Sequence, residues 1–272
     1  MTIKKNTPLV SVVMATFNEP QDIIKKSIES IINQTYSNFE LIIIDDSNSL
    51  ETRNVIDSFS SDSRVKIIRE DERIGFVKSL NIGLRLSQGL FIARMDGDDI
   101  SVLNRLELQI AYLNEHPTIS VVGGSFNIID SNDKIISKRK YPVSAFFFIL
   151  LALYRDPLAH PTVMMRRECV DNGFYYDESF SKAEDLELWL RLMKNGYKLA
   201  NMKQYLLNYR IGGDLSKKRK NDHWSYNYRA KVKNFSFRRP IFSILSLAIS
   251  YTYTIMPNWI IRAVYHNENN TR

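Results

Sequence analysis

The alternation of short apolar segments with amphipathic segments most constrains the fold of this chain. Strands are predicted over 9–16, 39–46, 65–70 and 89–95, and helices over 19–34, 50–59, 75–87 and 102–114. Strands that are apolar at nearly every position are typical of a parallel sheet that is covered on both faces. Strand–helix alternation with short connections therefore predicts an α/β fold, with a Rossmann-like, mostly parallel sheet flanked by helices.

Polar and acidic residues follow three of these strands at their carboxyl ends. They occupy 16–19, 45–46 and 96–99. Ligands of open parallel sheets bind outside the carboxyl ends of the strands. We therefore expect the three segments to line one cleft, where water, a base or a cation offsets the repulsion between neighbouring carboxylates.

The stretch Asp96-Gly97-Asp98-Asp99 predicts a cation site. Carboxylates two residues apart on a loop can both reach one hard cation, and oxygen ligands suit Mg²⁺ or Mn²⁺. An isolated triplet of this kind is more often a turn in which the side chains bond the local backbone. Its position directly after a buried strand favours the metal interpretation.

Two further acidic pairs each admit two interpretations. The pair Asp45–Asp46 can accept hydrogen bonds from a base or a ribose, or the segment DDSNS (45–49) that it begins can cap the following helix. Glu184–Asp185 begins a helix predicted over 183–197, where acidic side chains interact favourably with the helix dipole or supply a general base. Spacing alone favours the dipole interpretation. His160 lines the cleft or is buried in the core, and Cys169 is predicted to be inert.

Several classes of protein are disfavoured by the motif content. Neither G-x-G-x-x-G after the first strand nor G-x-x-x-x-G-K-[ST] occurs, which disfavours dinucleotide and P-loop binding. A nucleotidylyltransferase needs a Gly-rich phosphate loop after its first strand, where this chain has MATFNEP. One cysteine and a start without an apolar stretch predict a cytoplasmic protein without a signal peptide.

Charge is distributed unevenly along the 272 residues, whose net charge is +7. Residues 1–130 hold 13 Lys+Arg and 18 Asp+Glu, a net of −5, whereas 131–272 hold 24 and 12, a net of +12. The acidic first half disfavours nucleic-acid binding. A basic C-terminal tail, 216–272, contains the uncharged stretch 240–261. This stretch predicts a helix at an anionic membrane surface, and the alternative is plain packing on the domain.

Together these features resemble a family 2 glycosyltransferase with the GT-A fold. The resemblance covers roughly residues 8–210 and is carried by VSVVMATFNE, SIESIINQTYSNFELIIIDDSN, RIGFVKSLNIGL, GLFIARMDGDDIS and AEDLELWLRL. Each stretch alone is unspecific, but their order and spacing are specific together. The catalytic domain is accordingly expected over 1–215.

The resemblance implies a nucleotide-sugar donor, usually a UDP- or dTDP-sugar, a divalent cation (Mg²⁺ or Mn²⁺), and inversion at the anomeric carbon. It assigns donor contacts to Ala15, Thr16, Asn18, Glu19, Asp46, Gly75, Lys78 and Asp96, with Asn81 in the same segment. It assigns the metal to Asp98 and Asp96, with Asp98 preferred. It assigns the general base to Asp185, with Glu184 as the nearby alternative.

The chain departs from the family pattern at two places. Many relatives have Pro at the position of Ala15, a mild change, and many have a His soon after a Tyr-Arg pair. Here Gly212 and Gly213 follow that pair, so Lys217 and Lys218 are expected to contact the diphosphate instead.

The implied acceptor is a glycan or a lipid-linked glycan of the cell surface, which places the enzyme at the inner face of the plasma membrane. The alternative is a degenerate transferase domain that acts as a membrane-associated scaffold. The presence of both Asp98 and Asp185 argues against this alternative.

Overall fold

The computed structural model describes residues 8–211, 222–237 and 240–256. Within these ranges one sheet contains nine strands: β1 (Val10–Thr16), β2 (Phe39–Asp45), β3 (Val65–Ile68), β4 (Phe91–Asp96), β5 (Ile100–Ser101), β6 (Ile119–Ile129), β7 (Ile135–Arg139), β8 (Met164–Arg166) and β9 (Lys198–Arg210). The α-helices in these ranges are α1 (Gln21–Ile32), α2 (Leu50–Asp57), α3 (Phe76–Leu86), α4 (Arg105–Glu115), α5 (Ala145–Ala152), α6 (Arg167–Asp171), α7 (Glu184–Lys194), α8 (Asp222–Lys233) and α9 (Pro240–Ile255).

The first half of the sheet is parallel, as predicted. Its strand order is β3-β2-β1-β4, and each of these three pairings is parallel. In register, Thr16 lies opposite Asp45, and Ala15 lies opposite both Ile44 and Asp96. The acidic and polar strand ends therefore meet at one edge of the sheet, which confirms that they converge as expected.

The complete sheet is mixed, which corrects the prediction of a mostly parallel sheet. Strand β8 is antiparallel to both β4 and β6, and the β5–β9 and β6–β7 pairings are also antiparallel. Only β6 and β9 pair in parallel in this half. Antiparallel neighbours need no helical crossover. The strand–helix alternation that identifies the first half therefore carries no information about the second half.

Two apolar clusters cover the two faces of the sheet. Alternate residues of β1 point to opposite faces. Val12 and Met14 belong to the cluster with Ile24 and Ile28 of α1, whereas Val13 belongs to the other cluster. That second cluster includes residues of α3 and α7. Both faces are thus covered by helices, which explains why β1 is buried at every position.

Helix α4 begins three residues later than predicted. Residues 100 and 101 form the short strand β5 instead, in which Ile100 pairs with Asn208 and Ser101 with Leu207 of β9. The partner strand is about a hundred residues away along the chain. The local sequence therefore could not indicate this pairing.

The described part of the C-terminal tail packs on the catalytic fold. Helix α8 contacts α7, and α9 contacts α8. Lys233 at the end of α8 forms ion pairs with Asp177 and with Glu187, the latter at 3.1 Å. None of the helices within the described residues is long and apolar enough to cross a bilayer. The predicted domain boundary between 215 and 216 lies outside the described residues.

The Asp177–Lys233 ion pair predicts a pH-dependent contribution to stability. Bonds from Lys233 and from Ser179 outweigh burial and lower the pKa of Asp177 to about 2. This stabilisation is present above the unfolded-state pKa and is lost as the pH falls through the folded-state value. We expect Asp177→Asn to lower the free energy of unfolding by about 1 kcal/mol at pH 7, after screening of the half-exposed lysine.

Urea unfolding at neutral pH and near pH 3 measures this effect. The difference between wild type and Asp177→Asn should be reduced at the lower pH, because the unfolded-state carboxyl is then mostly protonated. Glu115→Gln, at an exposed position, serves as the control. A difference that stays constant over this pH range would contradict the assignment.

Candidate active site

The loop after β1 is fixed against the loop after β2. Asn18 adopts a left-handed backbone conformation with φ 58°. Its side-chain oxygen accepts hydrogen bonds from the backbone N–H groups of Asn48 (3.0 Å) and Ser49 (2.9 Å). The carboxylate of Glu19 accepts the N–H of Phe17 at 3.0 and 2.9 Å. Both predicted residues therefore shape this edge of the cleft.

Asp46 connects the end of β2 to the segment before α3. Its two carboxylate oxygens accept the N–H groups of Ile74 and Gly75, each at 2.9 Å. Gly75 has a φ of 83°, in the left-handed region that favours glycine, and directly precedes α3. The structure thus brings the predicted residues Asp46 and Gly75 into direct contact.

The segment DDSNS does cap the following helix, as its cap interpretation predicts, but through Ser49 and not through an aspartate. The Ser49 hydroxyl accepts the N–H of Thr52 at 3.3 Å. Asp45 is buried, accepts a hydrogen bond from the Thr16 hydroxyl at 3.1 Å, and forms an ion pair with Arg69 at 2.7 Å. Thr16 therefore supports the floor of the cleft through its neighbour on β2.

The other predicted donor contacts differ in their exposure. Ala15 is buried within β1, and Lys78 is exposed on α3. Asn81 is buried, and its amide group exchanges two 2.9 Å hydrogen bonds with the backbone of Tyr176. Asn81 therefore attaches α3 to the segment before α7, a supporting position that sequence spacing did not indicate.

Three carboxylates after β4 form a compact cluster. Asp96, Asp98 and Asp99 each offer an oxygen, and these oxygens all lie within 4.8 Å of one another. Asp99 is fully buried, and its Oδ1 accepts the N–H of Arg210 at 2.8 Å. No group among the described residues donates a hydrogen bond to its Oδ2. Burial, together with Asp96 and Asp98, raises the pKa of Asp99 well above its usual value.

This cluster fits a divalent cation. Three converging carboxylates form a set of hard oxygen donors, which Mg²⁺ and Mn²⁺ prefer. A buried carboxylate oxygen without a donor is costly unless a positive charge compensates it, and Asp99 Oδ2 is such an atom among the described residues. Asp99 was recognised as part of the acidic run but was not assigned to the site.

Glu19 lies beside this acidic cluster. Burial is the main cause that raises its pKa to about 7, and the charges of Asp98 and Asp96 add to the effect. A Cβ atom at Gly97 would lie 3.1 Å from Glu19 Oε1 and 3.2 Å from Thr16 Cγ2. The glycine between the aspartates therefore allows the loop after β4 to approach the loop after β1.

Arg94 is the central positive charge of the site. It is buried in β4 and forms an ion pair with Asp96, yet its Nε and Nη1 have no hydrogen-bond acceptor among the described residues. Burial raises the pKa values of four neighbours, and the charge of Arg94 opposes this rise: Asp99, Tyr176, Glu184 and Asp185. For His160, the same charge adds to the lowering of the pKa by burial. Sequence analysis did not assign Arg94 to the site, although a charged residue within an apolar strand was a usable signal.

Glu184 and Asp185 begin α7, directly after Ala183, whose φ is 56°. Burial raises the pKa of both carboxyl groups, and the neighbouring Asp185 helps to raise that of Glu184 to about 8. Two interactions limit the rise in the pKa of Asp185. Its Oδ1 accepts the N–H of Leu186 at 2.8 Å, and the charge of Arg94 favours the ionised carboxylate. Asp185 is therefore the member of the pair that ionises more readily.

His160 and Cys169 are core residues. His160 Nε2 lies 2.8 Å from the Tyr176 hydroxyl, and the imidazole packs edge-on against Trp189 with 6.1 Å between ring centroids. Burial, reinforced by Arg94, lowers the pKa of His160 well below its usual value, so the ring is neutral. Burial raises the pKa of Cys169 to about 12, which confirms the prediction of an inert thiol. The predicted loop residues Gly212, Gly213, Lys217 and Lys218 lie outside the described residues.

The mixed sheet flanked by helices is an α/β fold with a GT-A-like architecture. Residues 11–174 match the family model described as Glycosyl transferase family 2. The chain belongs to this family and is a glycosyltransferase. The resemblance found in the sequence is thereby confirmed.

Two relatives and one solved structure illustrate this relationship. An uncharacterized glycosyltransferase of Methanocaldococcus jannaschii is 31% identical over 96% of this chain and 94% of its own length. The UDP-Glc:α-D-GlcNAc-diphosphoundecaprenol β-1,3-glucosyltransferase WfgD of Escherichia coli is 35% identical over 69% of this chain and 70% of its own. The structure of S. aureus TarS 1-349 in complex with UDP-GlcNAc has a TM-score of 0.69, with 19% identity over 90% of this chain and 72% of that one. This last similarity concerns the fold.

Proposed function

We propose that the protein transfers a sugar from a UDP-sugar to a hydroxyl group of a glycan or lipid-linked glycan, in the biosynthesis of a cell-surface polysaccharide. The observation that carries this proposal is that the Asp96–Asp99 cluster and the Glu184–Asp185 pair both interact with the buried charge of Arg94. The reaction named for WfgD uses UDP-glucose and a diphosphoundecaprenol-linked acceptor, which supports the choice of donor and acceptor.

The acidic cluster is the proposed cation site. Asp98 and Asp96 would hold Mg²⁺ or Mn²⁺, which stabilises the charge on the departing diphosphate when it is bound. Asp99 stands behind them, fixed by the backbone of Arg210. Arg94 fixes Asp96 from within β4.

The chain's own residues would carry out the remaining steps. Asp185 takes the proton of the acceptor hydroxyl, and that oxygen attacks the anomeric carbon from the face opposite the nucleotide, which inverts its configuration. Asn18, Asp46 and Gly75 form the rim that positions the base and ribose, because their hydrogen bonds join three loops. Exposed Lys78 on α3 is available to the donor phosphates.

The tail belongs to this proposal as the part that brings the enzyme to its acceptor. Residues 1–215 form the catalytic unit, and residues 216–272 supply peripheral contact with the inner face of the plasma membrane. The excess of Lys and Arg in the second half of the chain supports contact with anionic lipid.

Thermal unfolding with nucleotides tests the proposed function. We expect one of UDP, dTDP, GDP and CMP, with UDP as the first choice, to stabilise the wild type only when Mn²⁺ or Mg²⁺ is present. A ligand at 100 times its Kd stabilises the folded state by about 2.7 kcal/mol. Asp98→Asn should abolish this stabilisation, because it removes a charged cation ligand from the cluster.

Asp171→Asn, at an exposed position on α6, is the matched control and should retain the full nucleotide effect. If no nucleotide stabilises the wild type with either cation, the transferase proposal fails and the scaffold alternative is favoured. If a nucleotide still stabilises Asp98→Asn, the proposed role of Asp98 in a cation site is contradicted, whereas the proposed donor site is supported.

A further inference from the structure

We propose that one surface region, formed by α5 and α9, docks directly on an anionic lipid bilayer. The proposal deepens the membrane contact assigned above, because it names the residues that touch the lipid. It rests on the proposed function only because a lipid-linked acceptor gives the enzyme a reason to bind a membrane. The apolar patch is defined by six exposed side chains: Phe146, Phe147 and Leu150 of α5, and Ile241, Ile244 and Leu245 of α9.

Helix α9 buries polar side chains and exposes apolar ones, the opposite of a helix packed on a water-soluble domain. Its buried side chains are Ser243, Ser246 and Ser250. Its exposed positions include Ile241, at 75% exposure, and Ile244, at 57%. A surface helix in water normally buries its apolar side and exposes its polar side. The medium that faces α9 in the functional state is therefore apolar.

The hydroxyl groups of the buried serines are all satisfied, two by carbonyl groups outside α9 and one within the helix. The Ser246 hydroxyl donates to the carbonyl of Leu153 at 3.2 Å, and the Ser243 hydroxyl donates to the carbonyl of Ser236 at 3.3 Å. The Ser250 hydroxyl donates to the carbonyl of Ser246 at 2.7 Å. Small residues at helix contacts are typical of proteins that pack helices inside an apolar solvent, where burial of apolar side chains gives no advantage.

Helix α5 extends the exposed apolar area. Every side chain from Ala145 to Ala152 is apolar, so the helix has no polar face to turn towards water. Phe148, Leu151 and Ala152 are buried, whereas both Phe146 and Phe147 are more than half exposed.

The two helices belong to one region of the surface. The carbonyl of Leu153, just after α5, accepts hydrogen bonds from Ser246 of α9 and from Lys231 of α8. Exposed apolar side chains of α5 and α9 therefore flank a shared contact. Clustered apolar exposure of this kind marks an interaction site.

The charge of the adjoining segment identifies the partner as anionic. Residues 134–155, which lead into and through α5, contain Lys134, Lys138, Arg139, Lys140 and Arg155 and no acidic residue. Lys138 and Lys140 are exposed. Basic side chains that precede exposed aromatic and aliphatic ones along the chain match the chemistry of a headgroup–acyl boundary with anionic lipid.

The same charges disfavour a second copy of the chain as the occupant. A two-fold dimer places the same surface on both sides of the contact. Such a dimer would bring the basic segments of the two copies towards each other, and juxtaposed like charges oppose association. A bilayer that carries negative headgroups removes this repulsion.

Vesicle flotation of the full chain tests the proposal. The probes are phosphatidylcholine vesicles with and without phosphatidylglycerol. We expect the wild type to float with the anionic vesicles, and Phe146→Ser/Phe147→Ser and Ile241→Ser/Ile244→Ser each to reduce the bound fraction at least about tenfold, since each removes two insertable apolar side chains. Lys138→Gln/Lys140→Gln should reduce binding to the phosphatidylglycerol vesicles specifically.

Leu90→Ser/Leu103→Ser is the matched control, because it also removes two exposed leucines but lies outside the patch. It should float as the wild type does. Unchanged melting temperatures establish that the patch variants are folded, as expected for substitutions of exposed side chains.

Three results would overturn the proposal. The wild type could fail to float, the patch variants could float unchanged, or sedimentation velocity could show a dimer that the patch variants dissociate. Nucleotide binding is measured without vesicles. A failure of the transferase proposal is therefore distinguishable from a failure of the lipid proposal.

Discussion

Asp185→Asn should reduce the rate of sugar transfer by about 10²–10⁴-fold, while the affinity for the donor nucleotide stays near that of the wild type. The amide cannot accept the proton of the acceptor hydroxyl, yet it preserves the shape of the first turn of α7. Asp185 is the proposed base because the Leu186 N–H and Arg94 favour its ionised form. Mass spectrometry of the glycan product measures the rate, and thermal unfolding with the nucleotide measures donor binding.

Glu184→Gln is the matched control for this prediction. The pKa of Glu184 is raised to about 8, so this side chain already carries a proton at neutral pH, and the neutral amide resembles its native state. We expect transfer rates within about tenfold of the wild type, well above those of Asp185→Asn. If Glu184→Gln proves the more damaging substitution, the two carboxyl groups have the opposite roles.

Arg94→Met should destabilise the folded protein by about 3–5 kcal/mol, the usual effect of removing one partner of a buried ion pair. Its charge acts on Asp96, Asp99, Glu184 and Asp185, and Asp96 interacts unfavourably with each of the other three. Without it, these carboxylates repel one another in a place that water reaches poorly. In a chain of this size the melting temperature should fall by about 6–20 °C.

Two further variants delimit this prediction. Arg94→Lys retains the charge and should recover part of the lost stability, but it lacks the planar guanidinium. Arg85→Met removes an exposed charge from the end of α3 and should change stability by less than about 1 kcal/mol. A loss below about 1 kcal/mol for Arg94→Met would show that the carboxylates do not depend on this cation.

The two predictions concern different properties of one site. Asp185 is expected to affect the rate without affecting donor binding, because its proposed role is to take the proton of the acceptor hydroxyl. Arg94 is expected to affect folding, because it is buried beneath the carboxylates and compensates their charge. The transfer rate of Asp185→Asn therefore reports on the reaction, whereas the free energy of unfolding of Arg94→Met reports on the repulsion between the carboxylates of the site.

Prediction from the sequence was most successful where the signal is local. The apolar runs that became β1, β2 and β4 are buried on both faces, and α1 repeats apolar residues at helical spacing. Parallel strands place their carboxyl ends at one edge. The convergence of Thr16, Asp46 and Asp96 at that edge therefore follows from the order of elements alone.

Residues whose importance comes from distant contacts were not predicted. Arg94 was not assigned to the site because its acidic partners lie on β4 and, about ninety residues later, at the start of α7. The family resemblance places Asn81 in a segment near the nucleotide, but its amide group bonds the backbone of Tyr176. Spacing within one helix cannot show which chain segment packs against it.

The sequence by itself determined the parallel half of the sheet, the acidic edge and the two carboxyl groups of α7, because these depend on patterns within a few consecutive turns or strands. Only the tertiary structure decided the antiparallel pairings of β8, the burial of Asp99 and the outward side of α9. Each of these depends on pairing or packing between segments far apart along the chain, and such contacts leave no periodic signal in either segment alone.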